Sequence, residues 1–411
     1  MIKRITIEGF KSLKQVDLQL GHLNLFLGTN ASGKSNFLDA LRLLQGIGYG
    51  FTVDEVLNGK PKSASSEVWD AIRGGSSQAD FQPKAEVSAV AGEKIIRLTV
   101  DLDINGPRRP KVHYAIGLSA ANGCVRSESL STGRDQIYDS TPLADDLVSP
   151  TLDVRYHTGK VGKPPHLSFE KARAVLHQLP RRSECSKAEV PLVEAVIQEL
   201  SNTQRIDPSP IFLRAYSQAH SIKRMGERGE NFAALIKTIC ADEKAKAAYL
   251  SWLRQLSPTE LDDVATLPGA LGEPLFALRE KARDFPAPVL SDGTLRFAAI
   301  AAAFFQPDLP GILTIEEIEN SIHASRVRLL VELLKNRASQ SGVQIVATTH
   351  SPLVLAWLKP EDYATTFYCK RDEETGESHI RPLPEIPRFN EVISKQPISD
   401  LFAEGWLEAA L

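Results

Sequence analysis

The 411-residue sequence predicts an α/β fold with a parallel core sheet, an antiparallel β subdomain and a helical insertion. Three observations carry that prediction. A short apolar strand, residues 23–27, runs into Gly28-Thr29-Asn30-Ala31-Ser32-Gly33-Lys34-Ser35 and then into a segment of helical periodicity from Asn36 to Leu44. Apolar residues recur with period two between Ala85 and Leu118. From Leu290 to Leu358 apolar strands alternate with helical segments, the pattern of a parallel sheet with crossover helices.

Composition sets the outer limits. Apolar residues make up 42% and charged residues 24% of the chain, an ordinary globular balance. A net charge of −3 leaves nucleic-acid binding to a local patch at most. Cys124, Cys185, Cys240 and Cys369 are scattered without a C-x-x-C pair, which argues against a zinc site or a disulfide framework. The opening residues alternate like a strand and lack a signal-peptide core. The longest apolar run, near 297–305, is far short of a membrane span. The expectation is a cytoplasmic protein with no membrane partner.

In order along the chain, Ile5, Ile7 and Phe10 mark a first strand and Val16, Leu18 and Leu20 a second, with residues 11–14 between them. The helix after Ser35 ends near Gly46-Ile47-Gly48. Residues 68–75 read as a helix stopped by Gly74 and Gly75. An antiparallel meander follows: Ala85, Val87 and Ala89; Ile96 to Ile104; then Val112 to Leu118, with Asn105-Gly106-Pro107 as a turn. Residues 120–165 read mainly as loops with a strand or two, and 168–178, 187–204, 210–222, 231–240 and 243–255 as helices. No heptad pattern is sustained, so no long coiled coil is expected. Residues 270–288 turn extended. Helix 294–305, strand 311–315, helix 325–339, strand 343–348 and helix 352–358 complete the α/β block, and 366–369 and 379–383 are candidate terminal strands.

The chemistry lies in four short motifs. Residues 28–35 fit the phosphate-binding loop G-x-x-x-x-G-K-[ST], with the strand before and helix after that it requires. Its glycines let the backbone wrap a phosphate, and the helix N-terminus offers free N–H groups. Lys34 would reach the β/γ-phosphates and Ser35 would bind Mg²⁺. Apolar strand 312–315 ends in Glu316-Glu317, where one carboxylate can join the metal shell and the next can serve as base. Leu290-Ser291-Asp292-Gly293-Thr294 starts a helix and could be a second anion site or a plain helix cap. His350, in Thr348-Thr349-His350-Ser351-Pro352, ends a strand where open α/β sheets bind ligands, or is a structural histidine.

In this order and spacing the motifs resemble the ATP-binding-cassette ATPases of the SMC-like, RecF-like and OLD-like branch, most closely the stand-alone AAA-family ATPases of bacterial defence systems. GTNASGKS at 28–35, LSDGT at 290–294, ILTIEEIENSIH at 312–323 and TTHSP at 348–352 carry the resemblance, with IEGFKSLK at 7–14 and Arg73-Gly74-Gly75 in support. It implies a split ATPase head: an N-terminal lobe at 1–120, a mainly helical insertion at 121–284 and a C-terminal lobe at 285–411. It assigns ATP and phosphate contacts to Asn30, Ala31, Ser32, Gly33, Lys34, Ser35 and Asn36, with Lys11 approaching from the first strand. Mg²⁺ falls to Ser35 and Glu316, the general base to Glu317 and the switch histidine to His350. Ser291 and Gly293 would serve the nucleotide of a partner copy. Gln78 and Gln82 are both candidates for the family's Q-loop glutamine.

Two departures stand out. The branch commonly reads E-E-P-E-x-x-x-H-P after the strand; here Ile318 and Ala324 replace the prolines while Glu319, Asn320 and His323 remain, which implies a looser loop. No acidic Toprim-type cluster follows His350. The resemblance implies a hydrolase that converts ATP and water to ADP and phosphate as a head-to-tail homodimer and regulates a separate effector, a nuclease, in anti-phage defence. A RecF-like DNA-loading ATPase and a slowly hydrolysing scaffold are the alternatives. Arg108, Arg109 and Lys111, and Arg181, Arg182, Lys187, Arg205, Arg214, Lys223, Arg224 and Arg228, could follow a DNA backbone or form a solvated face.

Overall fold

The computed structural model describes the chain except residues 61–68, 85–92, 105–110, 134, 141–148, 158–162, 184, 186–188, 219 and 257–260. In chain order the strands begin with β1 (Ile2–Phe10), β2 (Leu13–Gln19), β3 (Leu23–Leu27), β4 (Ile96–Asp103), β5 (Lys111–Ser119) and β6 (Cys124–Thr132). β7 (Asp135–Ser140), β8 (Thr151–Tyr156), β9 (His166–Glu170), β10 (Thr203–Ile206), β11 (Leu261–Pro268) and β12 (Pro274–Glu280) follow. The last are β13 (Arg283–Pro286), β14 (Ile312–Ile315), β15 (Gln344–Thr349), β16 (Thr366–Arg371) and β17 (Ser378–Pro382). Contacts divide the chain into two compact units that interleave in sequence.

The first unit comprises Met1–Gly21, Gly28–Thr203 and Tyr368–Pro382. Its main feature is an eight-stranded sheet in the order β2-β1-β4-β5-β6-β7-β8-β9, antiparallel throughout. Period-two patterning puts Ile5 and Ile7 of β1 and Leu98 and Val100 of β4 into the core, with polar neighbours facing out. β1 and β2 are joined through Lys11 and Ser12, with Lys11 at φ 52° taking the left-handed conformation a tight turn demands. The phosphate-loop helix, Lys34–Gly48, packs on the helix Val190–Ser201. Contact is close because Gly48 has no side chain: a Cβ there would sit 2.5 Å from the Ser201 nitrogen.

The second unit comprises His22–Leu27, Gln204–Phe367 and Leu383–Leu411. Here β14, β15 and β3 run parallel side by side, with Leu313 opposite Ile345 and Thr349 opposite Leu27. These strands are buried on both faces, as parallel core strands are. β3 ends at Leu27 on the sheet edge at which β14 releases Glu316 and β15 releases His350. The helix Asp292–Ala302 is buried almost all round, which its alanines permit, and Tyr249 of the helix Glu243–Arg254 donates to the Ala298 carbonyl at 2.9 Å. A separate three-stranded sheet, β11-β12-β13, occupies 261–286.

Several expectations are corrected. Residues 69–75 are not helical: Trp69 forms a bridge with Lys60 and donates its indole N–H to the Val56 carbonyl, and Gly74 and Gly75 have positive φ. Within 120–165, expected to be mainly loops with a strand or two, the described residues hold three strands, β6, β7 and β8, with β9 next; the span 168–178 starts as strand and is helical only from Val175 to Gln178. The helix expected at 210–222 stops at Leu213. The segment 121–284, expected to be mainly helical, holds β6–β13 as well as helices. The strand expected at 85–89, the turn at 105–107, Val68, Arg108, Arg109 and Lys187 lie outside the described residues. Among the described residues the longest helix is Ala324–Gln340, with 17 residues, and no helix is long and apolar enough to cross a membrane.

Candidate nucleotide-binding and hydrolytic site

The phosphate-loop group belongs to the first unit. Gly28 has φ 148° and a Cβ there would lie 2.3 Å from the Cys369 carbonyl oxygen; Gly33 has φ 107° and a Cβ would lie 2.4 Å from Ser378 Oγ. Ala31 takes φ 63°, so the loop curls back through left-handed backbone, the arrangement that turns successive N–H groups toward one point. Lys34 is buried at the loop's centre, its Nζ donating to the Gly28 and Thr29 carbonyls at 2.7 Å each. Ser32 is buried 3.5 Å from that ammonium, whereas Asn30 and Ala31 are exposed and Ser35 is half-buried at the helix start. The helix Lys34–Gly48 has no side-chain cap and no acidic residue in its first turn, and the Asn36 and Phe37 N–H groups donate to the Gly33 carbonyl at 3.0 and 3.2 Å. Burial pushes the Cys369 thiol behind the loop up to about 12, which makes it a neutral packing group.

Asn36 and Lys11 are placed differently from the rest. The Asn36 amide donates to Ser12 Oγ at 2.6 Å, and Ser12 accepts from Ser378 Oγ at 2.7 Å, so this side chain ties the helix start to the β1–β2 turn. Lys11 Nζ lies 2.5 Å from the buried Asp39, whose carboxylate also takes Arg73 at 3.1 Å. Burial lowers the Lys11 pKa, and Asp39 opposes that. Arg73 in addition donates to the Ser35 carbonyl at 3.1 Å. Gln78 packs by Gly74, and the exposed Gln82 amide donates to the Ser77 carbonyl at 3.3 Å.

The second group belongs to the second unit. Ser291 caps the helix Asp292–Ala302, accepting from the Thr294 N–H at 3.2 Å, and its side chain is exposed. Arg214 braces this start through Asp292 at 2.5 Å and the Leu290 carbonyl at 2.8 Å. Gly293 faces the Ser321 carbonyl oxygen, 2.6 Å from where a Cβ would stand, so only glycine lets the 321–323 loop lie against the cap. A surface depression there is lined by Ser291, Gly293, Thr294, Ser321, His323 and Arg326.

Behind the cap, β14 delivers Glu316 and Glu317. Glu316 lies 3.1 Å from the Arg205 guanidinium. Glu317 adopts φ 44°, an uncommon conformation for a non-glycine residue. Its N–H donates to Thr348 Oγ1 at 3.0 Å, and the next N–H, that of the fully buried Ile318, donates to the Thr348 carbonyl at 3.1 Å. The looser loop expected from the missing proline is therefore not found: isoleucine supplies a hydrogen bond proline lacks. Ala324 is the first residue of the helix Ala324–Gln340, a position that suits proline without needing it.

His350 directly follows β15, with its side chain 47% exposed. Its Nδ1 is 3.4 Å from Glu319 and 4.0 Å from Glu317, and Glu319 also accepts its backbone N–H at 2.9 Å. Glu319, Thr348 and Arg296 have no role in the sequence reading, and Arg205 enters it only as a candidate DNA contact; Glu319 as the third acid of E-E-x-E and Thr348 within TTHSP were the local signals. Among the described basic residues considered for DNA, Arg205 pairs with Glu316, Arg214 with Asp292 and Arg224 with Asp308, and Arg182 lies over the Phe169 ring.

Residues 1–88 match the family model described as "AAA ATPase domain", and residues 257–356 the one described as "AAA domain, putative AbiEii toxin, Type IV TA system". The chain is 22% identical over 387 residues to an "ATP/GTP phosphatase" of Helicobacter pylori, covering 91% of this chain and 93% of that protein. It is 22% identical over 360 residues to an "OLD nuclease" of Thermus scotoductus, covering 86% of this chain but 59% of that protein. The fold is similar to an SMC head solved bound to the "C-winged helix domain of ScpA", at TM-score 0.51 and 14% identity over 93% of this chain and 99% of that one.

Proposed function

We propose that this chain, an ATPase of the SMC- and OLD-like ABC type, hydrolyses ATP at a composite site closed by a second copy and thereby regulates a partner effector. The observation that carries the reading is the acid pair at the end of β14, with Glu317 44% exposed at its left-handed turn and His350 beside it. In this reading Lys34 and the N–H groups of 30–36 neutralise and orient the phosphates. Glu317 takes a proton from the attacking water, and His350 holds that water through Nε2, the nitrogen not engaged by Glu319. Ser35 and Glu316 are the residues that would hold Mg²⁺, which supplies charge neutralisation at the phosphates when bound. Lys11, held by Asp39, adds positive charge beside the loop.

Ser291 and Gly293 present an N-capped helix start at the surface, and we assign them to the nucleotide of the opposing copy in a head-to-tail dimer. The effector reading, with a nuclease as partner and phage defence as the setting, is supported by the toxin-system description of the C-terminal match and by the OLD nuclease relative. The test is Glu317→Gln in the full chain. Turnover should fall by about 10²–10⁴-fold while ATP binding is kept, and ATP should shift the variant to dimer by light scattering. Wild-type turnover in this variant would remove Glu317 from the mechanism; a monomer with and without ATP would remove the composite site. Co-expression with the product of the adjacent gene then tests the effector.

A further inference from the structure

We infer that Arg296 is a positioning residue for hydrolysis, holding the main chain of Glu316 and Glu317 from within the helix that begins at the Ser291 cap. The inference rests on the reading of Glu317 as base. Arg296 is 3% exposed and is the only charged side chain in the buried part of the helix Asp292–Ala302. One terminal nitrogen donates to the Glu316 carbonyl at 2.9 Å and the Glu317 carbonyl at 3.1 Å. The other donates to Asp207 Oδ1 at 3.0 Å and the Pro208 carbonyl at 2.9 Å.

The arrangement controls aim. Glu317 sits in a conformation that costs energy for a side chain with a Cβ, so its turn needs outside support. Thr348 holds the two N–H groups of 317 and 318 on one side, and Arg296 holds the two carbonyls of 316 and 317 on the other. With four consecutive main-chain groups engaged, the turn is over-determined and the Glu317 carboxylate has one starting direction. A planar guanidinium suits this task because one nitrogen can reach both carbonyls while the other stays anchored; an ammonium is a single point charge. The same side chain also joins the catalytic turn to the helix whose first residues face a partner copy. A shift of that helix start therefore acts directly on the base.

The ordinary alternative is that Arg296 merely satisfies buried carbonyls, and kinetics separates the two. Arg296→Lys in the full chain should lower kcat by about 10–100-fold, with ATP binding in the absence of turnover changed less than about threefold. Added to Glu317→Gln, it should cause no further loss, because the base it aims is already gone. Asp207→Ala removes one anchor at a half-exposed position without entering the core, and should lower kcat in the same direction by about threefold to tenfold. Unchanged kcat in either folded variant, or losses that multiply fully with Glu317→Gln, overturn the inference. If Glu317→Gln alone turns over normally, the general-base reading falls and this inference with it; if Glu317→Gln is inactive while Arg296→Lys is not impaired, only the positioning role falls.

Discussion

Replacing Asp39 by asparagine removes the one carboxylate that two cations share beneath the phosphate loop. Asp39 is 1% exposed, Lys11 lies 2.5 Å from it with a side chain 9% exposed, and Arg73 lies 3.1 Å away with a side chain 48% exposed. Arg73 can turn back to water, so its share is at most about 1 kcal/mol. Lys11 cannot without moving β1, and removing one partner of a buried pair costs roughly 3–5 kcal/mol. Asparagine still accepts a hydrogen bond, which places the expected loss near the lower end, about 3 kcal/mol. Urea denaturation of the full chain reads it, and amide exchange in the helix Lys34–Gly48 localises it.

The pH dependence gives a second readout of the same substitution. Burial already holds the Lys11 pKa below its ordinary value, and the Asp39 charge works against that. Without Asp39 the folded-state pKa drops further, so between it and the ordinary lysine value the unfolded chain binds more protons than the folded one. Stability of the variant then rises with pH through that window, and the deficit against wild type narrows toward alkaline pH. A loss under about 1 kcal/mol at neutral pH, or a deficit that widens as pH rises, refutes the reasoning.

Other substitutions probe separate parts of the molecule. Gly33→Ala puts a Cβ at φ 107° against Ser378 and should lower ATP affinity by about tenfold or more in equilibrium binding; affinity at the wild-type level would mean that the loop tolerates a side chain there. Ile318→Pro introduces the proline expected from the family resemblance, yet it loses the N–H donated to Thr348 and the fully buried isoleucine side chain, and should destabilise by about 2 kcal/mol or more in thermal melts. A more stable variant would contradict the hydrogen-bond account. Glu128 is buried in the antiparallel sheet, where it accepts from Tyr114, Tyr138 and the N–H groups of Val175 and Leu176. Burial outweighs these donors and raises its pKa to about 7. Its contribution to stability is therefore fully present below about 4.5 and is lost as pH rises through about 7, on the order of 3 kcal/mol in all. Melting temperatures of wild type minus Glu128→Gln should fall across that range; a flat difference would show that the donors prevail.

The legibility of this chain followed the range of the interactions. Residues 28–35, the strand before them and the helix after them were readable because a phosphate loop is a local object: glycine conformations, a lysine and a helix start at fixed spacing. β14, β15 and β17 were readable for a related reason, since a doubly covered or half-covered strand carries its burial in its own residues. β6 to β9 were not, because Ser, Thr and Asp crowd their outer face and irregular registers at 125–127 of β6 and 136–138 of β7 break the period of two. The helix expected at 210–222 failed for the opposite reason: beyond Leu213 the chain is held by distant partners, Arg214 by Asp292 and the Ser217 N–H by the Pro274 carbonyl.

The candidate acids, histidine and cap residues were all named from sequence, since each motif advertises its own chemistry. Their support was not. Arg296 lies inside an apolar helix, Arg205 resembles any surface cation, and Thr348 is one hydroxyl in a core strand; nothing in their local pattern points to Glu316 or Glu317. What the sequence determined alone is the set of reactive groups and the strands that present them, because those depend on neighbours within a few residues. Only the tertiary structure decided how the Glu316–Glu317 turn is held, because its left-handed backbone donates to Thr348 and accepts from Arg296, residues that are remote along the chain.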